Sequence, residues 1–215
     1  MFAVLSGVTA LAYEPTLDRR AIDEALALGQ SRIESIRAKF HQPYRIYVGR
    51  SPVDYIDIVT PFRRVEMEAE SRGRNATRML SQREAMEILD AAQDGIDAYL
   101  EMTFHPMHTY VGVPEYQLRL VLIGRANAPA IEPREVQRVP RYGARIQGQP
   151  LPTPGAPALA PGREPMLGGT TVARFDGRLL DPKGVYDLVL SEAGKEIGEA
   201  GREIGRARID FRALR

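Results

Sequence analysis

From Ile96 to Phe104 the chain alternates without a break. Ile96, Ala98, Leu100, Met102 and Phe104 fall on one side, and Asp97, Tyr99, Glu101 and Thr103 on the other. A period of two belongs to an extended strand with one face in a core. A helix would scatter these apolar positions around its axis. A second alternating run, Gln117 to Ile123, places Leu118, Leu120 and Leu122 on the same face as Tyr116. The two runs read as a central strand pair, and their connector carries His105-Pro106-Met107-His108.

The segment before this pair reads as helical. Thr16 can cap a helix running to about Phe40, with Ile22, Leu26, Ile33, Ile36 and Phe40 as its apolar stripe and Gly29 as its weak point. Thr60-Pro61 starts a second helix that Gly73 ends. Ser81-Gln82-Arg83-Glu84 is a capping box, followed by Ala85, Met86, Ile88, Leu89 and Ala92 as an apolar face. Tyr44 to Val48 reads as a short strand. Ser51-Pro52-Val53-Asp54 has the form of a helix start, which makes Asp54 and Asp57 first-turn acids, although Ile56, Ile58 and Val59 are β-branched.

Nine prolines between Pro129 and Pro165 exclude a continuous helix or central strand there. Residues 147–169 read as a Pro/Gly-rich internal loop. Beyond it, Thr170 to Phe175, Val185 to Leu190 and Arg206 to Phe211 are strands. The last two are joined through EAGKEIG and EAGREIG in tandem, which lengthens a hairpin tip. Strands on both sides of the loop predict one α+β domain over 13–215. Its N-terminal helices pack on an antiparallel β-sheet or small β-sandwich.

Composition removes several functions. The 29 basic residues, of which only Lys39, Lys183 and Lys195 are lysine, are interspersed with 28 acidic ones, for a net charge of +1. That balance argues against a nucleic-acid partner or a general affinity for anionic membranes. The absence of cysteine excludes thiol nucleophiles, disulfides and thiolate metal sites. No apolar run approaches the roughly 20 residues of a transmembrane helix. Residues 1–12 are apolar and end in Ala10-Leu11-Ala12, the form of a signal-peptide remnant without its basic leader. The other reading of this stretch is a buried N-terminal strand. Cleavage before Tyr13 would place the protein in the periplasm or outside the cell.

Two constellations carry chemistry. His105 and His108, with His41 as a third donor, are the histidines from which a zinc site could be built, and Glu101 or Glu115 could orient the rings. Tyr99, Tyr110 and Tyr116 lie in or beside the central strands and suit a sheet face that recognises a protein or a carbohydrate. No nucleophile elbow or phosphate-cradling loop occurs. The sequence therefore reads as an exported, non-enzymatic binding or structural protein. The alternative is a metal-dependent hydrolase centred on His105 and His108.

Overall fold

A computed structural model describes residues 13–75, 78–105, 110–125, 128–143, 165–192 and 201–215. The expectations for residues 1–12, for His108 and for most of the Pro-rich and tandem-repeat segments lie outside them. The class is α+β, as the periodicities predict. Among the described residues eight strands form two antiparallel sheets. The first has the order β1 (Arg45–Ile46), β2 (Val53–Val59), β3 (Gly95–Thr103), β6 (Met166–Asp176) and β5 (Glu135–Tyr142). The second has the order β4 (Tyr116–Leu122), β7 (Val185–Glu192) and β8 (Glu203–Asp210).

The sheets share one core. Ile96, Ala98, Leu100 and Met102 of β3 meet Leu118 and Leu120 of β4, Leu188 and Leu190 of β7 and Ile209 of β8. The two alternating runs are therefore not a strand pair. β3 pairs with β2 and β6, whereas β4 pairs with β7. Strands side by side in one sheet and strands facing each other across a sandwich have the same period of two, so the pattern alone could not separate them. In the connector, Phe104 and Tyr110 stack with centroids 4.0 Å apart, and both belong to this core.

A second correction concerns Val53–Val59, which is strand and not helix. Ile56 and Ile58 enter the core, and the segment is hydrogen-bonded on both sides, by β1 and β3. Pairing on both edges and β-branched packing outweigh the local Ser-Pro start signal.

Four helices complete the fold among the described residues: α1 (Arg19–Gly29), α2 (Glu34–His41), α3 (Pro61–Arg74) and α4 (Gln82–Ala92). Ile22, Ala25, Leu26, Phe62, Val65, Ala69, Leu80 and Ala85 form their own apolar cluster, and Phe40 packs against both this cluster and the sandwich core. The caps of α3 and α4 follow the sequence: Thr60 accepts from Arg63 N, and Ser81 and Glu84 form the box. The first helix departs from it. Asp18 caps it in place of Thr16, and it stops at Gly29, so that Ile33 and Ile36 are exposed. No helix among the described residues is long and apolar enough to cross a membrane.

Gly29 stops the helix where α1 crosses α3. A Cβ there would stand 2.3 Å from Glu66 O and 2.8 Å from Ala69 Cβ. Contact with backbone cannot be relieved by turning a side chain, so Gly29→Ala should destabilise by about 1–3 kcal/mol, the cost of overpacking. Urea unfolding of the variant checks this; an unchanged midpoint would mean that α1 has room to move.

Candidate functional site

Helix α3 begins at Thr60-Pro61, which directs Arg63 and Arg64 at the outer face of the five-stranded sheet. Arg63 is 2% exposed and makes a bidentate pair with Asp57 of β2, Nη1–Oδ1 2.6 Å and Nη2–Oδ2 2.9 Å. Its Nη1 also donates to Ile58 O, and its guanidinium lies 4.7 Å over the Tyr44 ring. Arg64 reaches Asp97 of β3 at 2.9 Å, and Arg174 of β6 reaches the same carboxylate from the other side, also at 2.9 Å. Asp97 is fully buried.

One and two turns further along α3, Glu66 and Glu70 face α2, which has no fully buried residue and is held by polar contacts and by Phe40 against both apolar clusters. Arg37 Nε donates to Glu70 Oε1 at 2.7 Å. His41 Nε2 lies 3.2 Å from Glu70 Oε2 and 3.3 Å from Glu66 Oε2. Arg63 Nε approaches His41 Nδ1 at 3.3 Å.

Glu66 has 0% exposure, and neither of its oxygens receives a hydrogen bond. The His41 ring nitrogen is within ion-pair distance of it, but its hydrogen-bonding direction runs to Glu70. The Glu66 carboxylate raises the His41 pKa above its ordinary value, against the opposing effects of burial and of Arg63. Burial alone would raise Glu70, but Arg37, Arg74 and His41 outweigh it and hold the carboxyl below the ordinary range. An open cleft of about 760 Å³ lies beside this group, bordered by His41, Arg45, Tyr47, Asp57, Arg63 and Glu70 among others.

Of the three histidines in the sequence, His41 and His105 are among the described residues. The donors that stand within 4.8 Å of His41 are on Glu66 and Glu70, not on His105. His105 is exposed just after β3. Arg37, Arg63, Glu66 and Glu70 had no role in that reading. Its one available signal was the spacing of Glu66 and Glu70, four apart and so on one face of α3. The tyrosines separate too. Tyr116 is in the sandwich core with Tyr110 against it, while Tyr99 is on the opposite face of β3, beside Arg64 and Arg174.

A second surface is open. Among the described residues β5 pairs only with β6, and all eight of its residues are exposed. Val136 shares the core-side face with Ala173, yet is 41% exposed because no strand of the smaller sheet lies beneath it among the described residues. Tyr142 at 54% shares that face, while Val139 at 44% is exposed on the other face of β5. Pro140 is tolerated here because an edge strand can turn its missing N–H to solvent.

A scan against protein-family models and searches of curated proteins and of solved structures find no match to this chain.

Two predictions follow from these ion pairs and from Tyr44. Asp97→Ala leaves Arg64 and Arg174 facing each other without their shared counter-charge, and should cost about 3 kcal/mol in thermal unfolding. A loss below about 1 kcal/mol would show that solvent compensates both guanidiniums. Burial pushes the Tyr44 hydroxyl up to about 12, although the Arg215 backbone N–H, which donates to the phenol oxygen at 2.9 Å, opposes the shift. The unfolded phenol ionises near 10. Between about pH 10 and 12 the folded chain therefore retains a proton that the unfolded chain has lost, and stability falls as pH rises. Urea midpoints at both ends of that window should fall less steeply in Tyr44→Phe than in the parent.

Proposed function

We propose that this chain is an exported, non-enzymatic binding protein that engages an extended segment of a protein partner along β5. The observation that carries the reading is that all eight residues of β5 are exposed, at the open edge of the five-stranded sheet. Folded proteins guard such edges, because unpaired backbone groups recruit another strand. β-Strand addition uses those groups for affinity and alternate side chains for specificity. Val139 lies on one face of β5, and Val136 and Tyr142 on the other. Arg138 and Arg141, which reach Glu115 and Glu101 across exposed pairs of 3.4 Å, favour a partner with acidic residues flanking its apolar ones. Protein is favoured over carbohydrate because Tyr142 is the patch's one aromatic ring, too few for a sugar platform.

Export would leave Tyr13 as the first residue of the mature chain. Tyr13 is buried, and its N–H donates to Phe211 O at 3.1 Å. The α-amino group left by cleavage after Ala12 could keep that bond.

Two experiments test the proposal. A photo-crosslinking residue at position 139 in living cells should trap one discrete adduct that Val136→Glu abolishes and that the same probe at Asp23 does not form. No position-specific adduct would end the β5 reading. N-terminal sequencing of protein from the periplasmic or culture fraction should begin at Tyr13, whereas cytosolic protein retaining residues 1–12 would overturn export.

A metal-dependent hydrolase is the second reading, moved from His105 to the cleft beside His41. The observation favouring it is that His41, Glu66 and Glu70 bring three donor atoms together at the cleft. Turnover of an ester, phosphoester or peptide substrate with added zinc, abolished by His41→Ala, would support it. No turnover across the three classes counts against it.

A further inference from the structure

We propose that His41, Glu66 and Glu70 bind one divalent transition-metal cation, with Zn²⁺ as the best match and Mn²⁺ as the alternative. The inference shares its location with the hydrolase reading but not its chemistry: bound metal without turnover leaves it standing and removes only the hydrolase.

Both spacings from the imidazole match those within a coordination sphere. Ligands roughly 2.0–2.1 Å from a tetrahedral zinc stand about 3.3 Å apart. His41 Nε2 is 3.3 Å from Glu66 Oε2 and 3.2 Å from Glu70 Oε2. The three donor atoms all lie within 4.8 Å of one another. One imidazole and two carboxylates suit zinc or manganese better than a soft, thiolate-seeking ion.

Glu66 supplies the independent observation. Its carboxylate is fully buried, belongs to this cluster, and accepts no hydrogen bond at either oxygen. Its ion-pair partner among the described residues, His41 Nε2 at 3.3 Å, is turned to Glu70 in its hydrogen-bonding direction, so the buried carboxylate is only weakly compensated until a cation meets it. Glu70 is already oriented for the task. Its Oε1 is held by Arg37 Nε at 2.7 Å and Arg74 Nη2 at 2.6 Å, which leaves Oε2 to face His41. Such outer contacts fix the direction of a metal-binding carboxylate. Arg63 has its own counter-charge in Asp57, whereas Arg37 and Arg74 share the charge of Glu70, which leaves Glu66 as the carboxylate with no guanidinium on it among the described residues.

Loading requires one local change. Metal on His41 Nε2 places the ring proton on Nδ1, which now faces Arg63 Nε at 3.3 Å. That is the longest of Arg63's polar contacts, and the three shorter ones to Asp57 and Ile58 O do not involve Nε. The guanidinium can give up this contact and stay anchored. His41 and Glu70 border the cleft, so a fourth position is open to water or ligand from that side.

The test uses the full chain, stripped with chelator and then titrated with Zn²⁺ and separately with Mn²⁺. Calorimetry gives stoichiometry and affinity, and thermal unfolding gives the stabilisation. One Zn²⁺ per chain is expected, with a raised melting temperature. Glu66→Gln and Glu70→Gln should each weaken binding by at least the roughly 10–100-fold that loss of an orienting partner costs. His105→Ala should bind as the parent does. Metal-free melting curves of each variant report folding, and the less buried Glu70→Gln decides the matter if Glu66→Gln does not fold. No stoichiometric binding of either ion overturns the proposal. So does binding that survives the glutamate variants, or binding lost on His105→Ala.

Discussion

Two consecutive arginines hold the helical layer to the sheet. Arg63 and Arg64 leave α3 in different directions and end on carboxylates of neighbouring strands, Asp57 on β2 and Asp97 on β3. Asp97 also takes Arg174 from β6, so three elements converge on one buried acid. Ion pairs with this little water depend on geometry, because the desolvation of each charge must be met by aligned hydrogen bonds. Bidentate pairing at Asp57 meets that demand. The helix therefore has a fixed height and rotation over the sheet, and everything along α3 inherits them.

The His41 cluster is a consequence. With α3 fixed by its first turn, Glu66 and Glu70 project one and two turns later toward α2. That helix is held by Phe40, packed against both apolar cores, and by Arg37 and His41 reaching those acids. Gly29 allows α1 to approach the same stretch of α3 backbone from the other side. Close helix packing on one flank and an open cleft on the other leave Glu66 dry and His41 at the boundary.

The sandwich is asymmetric, and the asymmetry produces the open surface. Five strands face three, so the β5 end of the larger sheet has no described strand beneath it. Apolar side chains at Val136 and Tyr142 stay in solvent although their strand is fully formed. The chemistry-bearing cluster and this exposed edge belong to different parts of the molecule, one set by helix docking and the other by strand count.

By itself the sequence determined what depends on neighbours in the chain. The period of two at Ile96–Phe104, the capping box at Ser81–Glu84 and the Thr60-Pro61 start are local signals, and each produced the element it predicts. Where local and distant terms compete, tertiary structure decided. Val53–Val59 became strand because β1 and β3 pair with it on both sides. β3 and β4 went to different sheets because one alternation serves both arrangements. The site was legible only in part. Glu66 and Glu70 share a helix face in any sequence reading, and His41 was a plain candidate, but their convergence required α2 to fold back on α3. A one-dimensional pattern specifies which face of an element is apolar; it does not specify which other element will meet the polar face, and that meeting is what brings His41 to its two carboxylates.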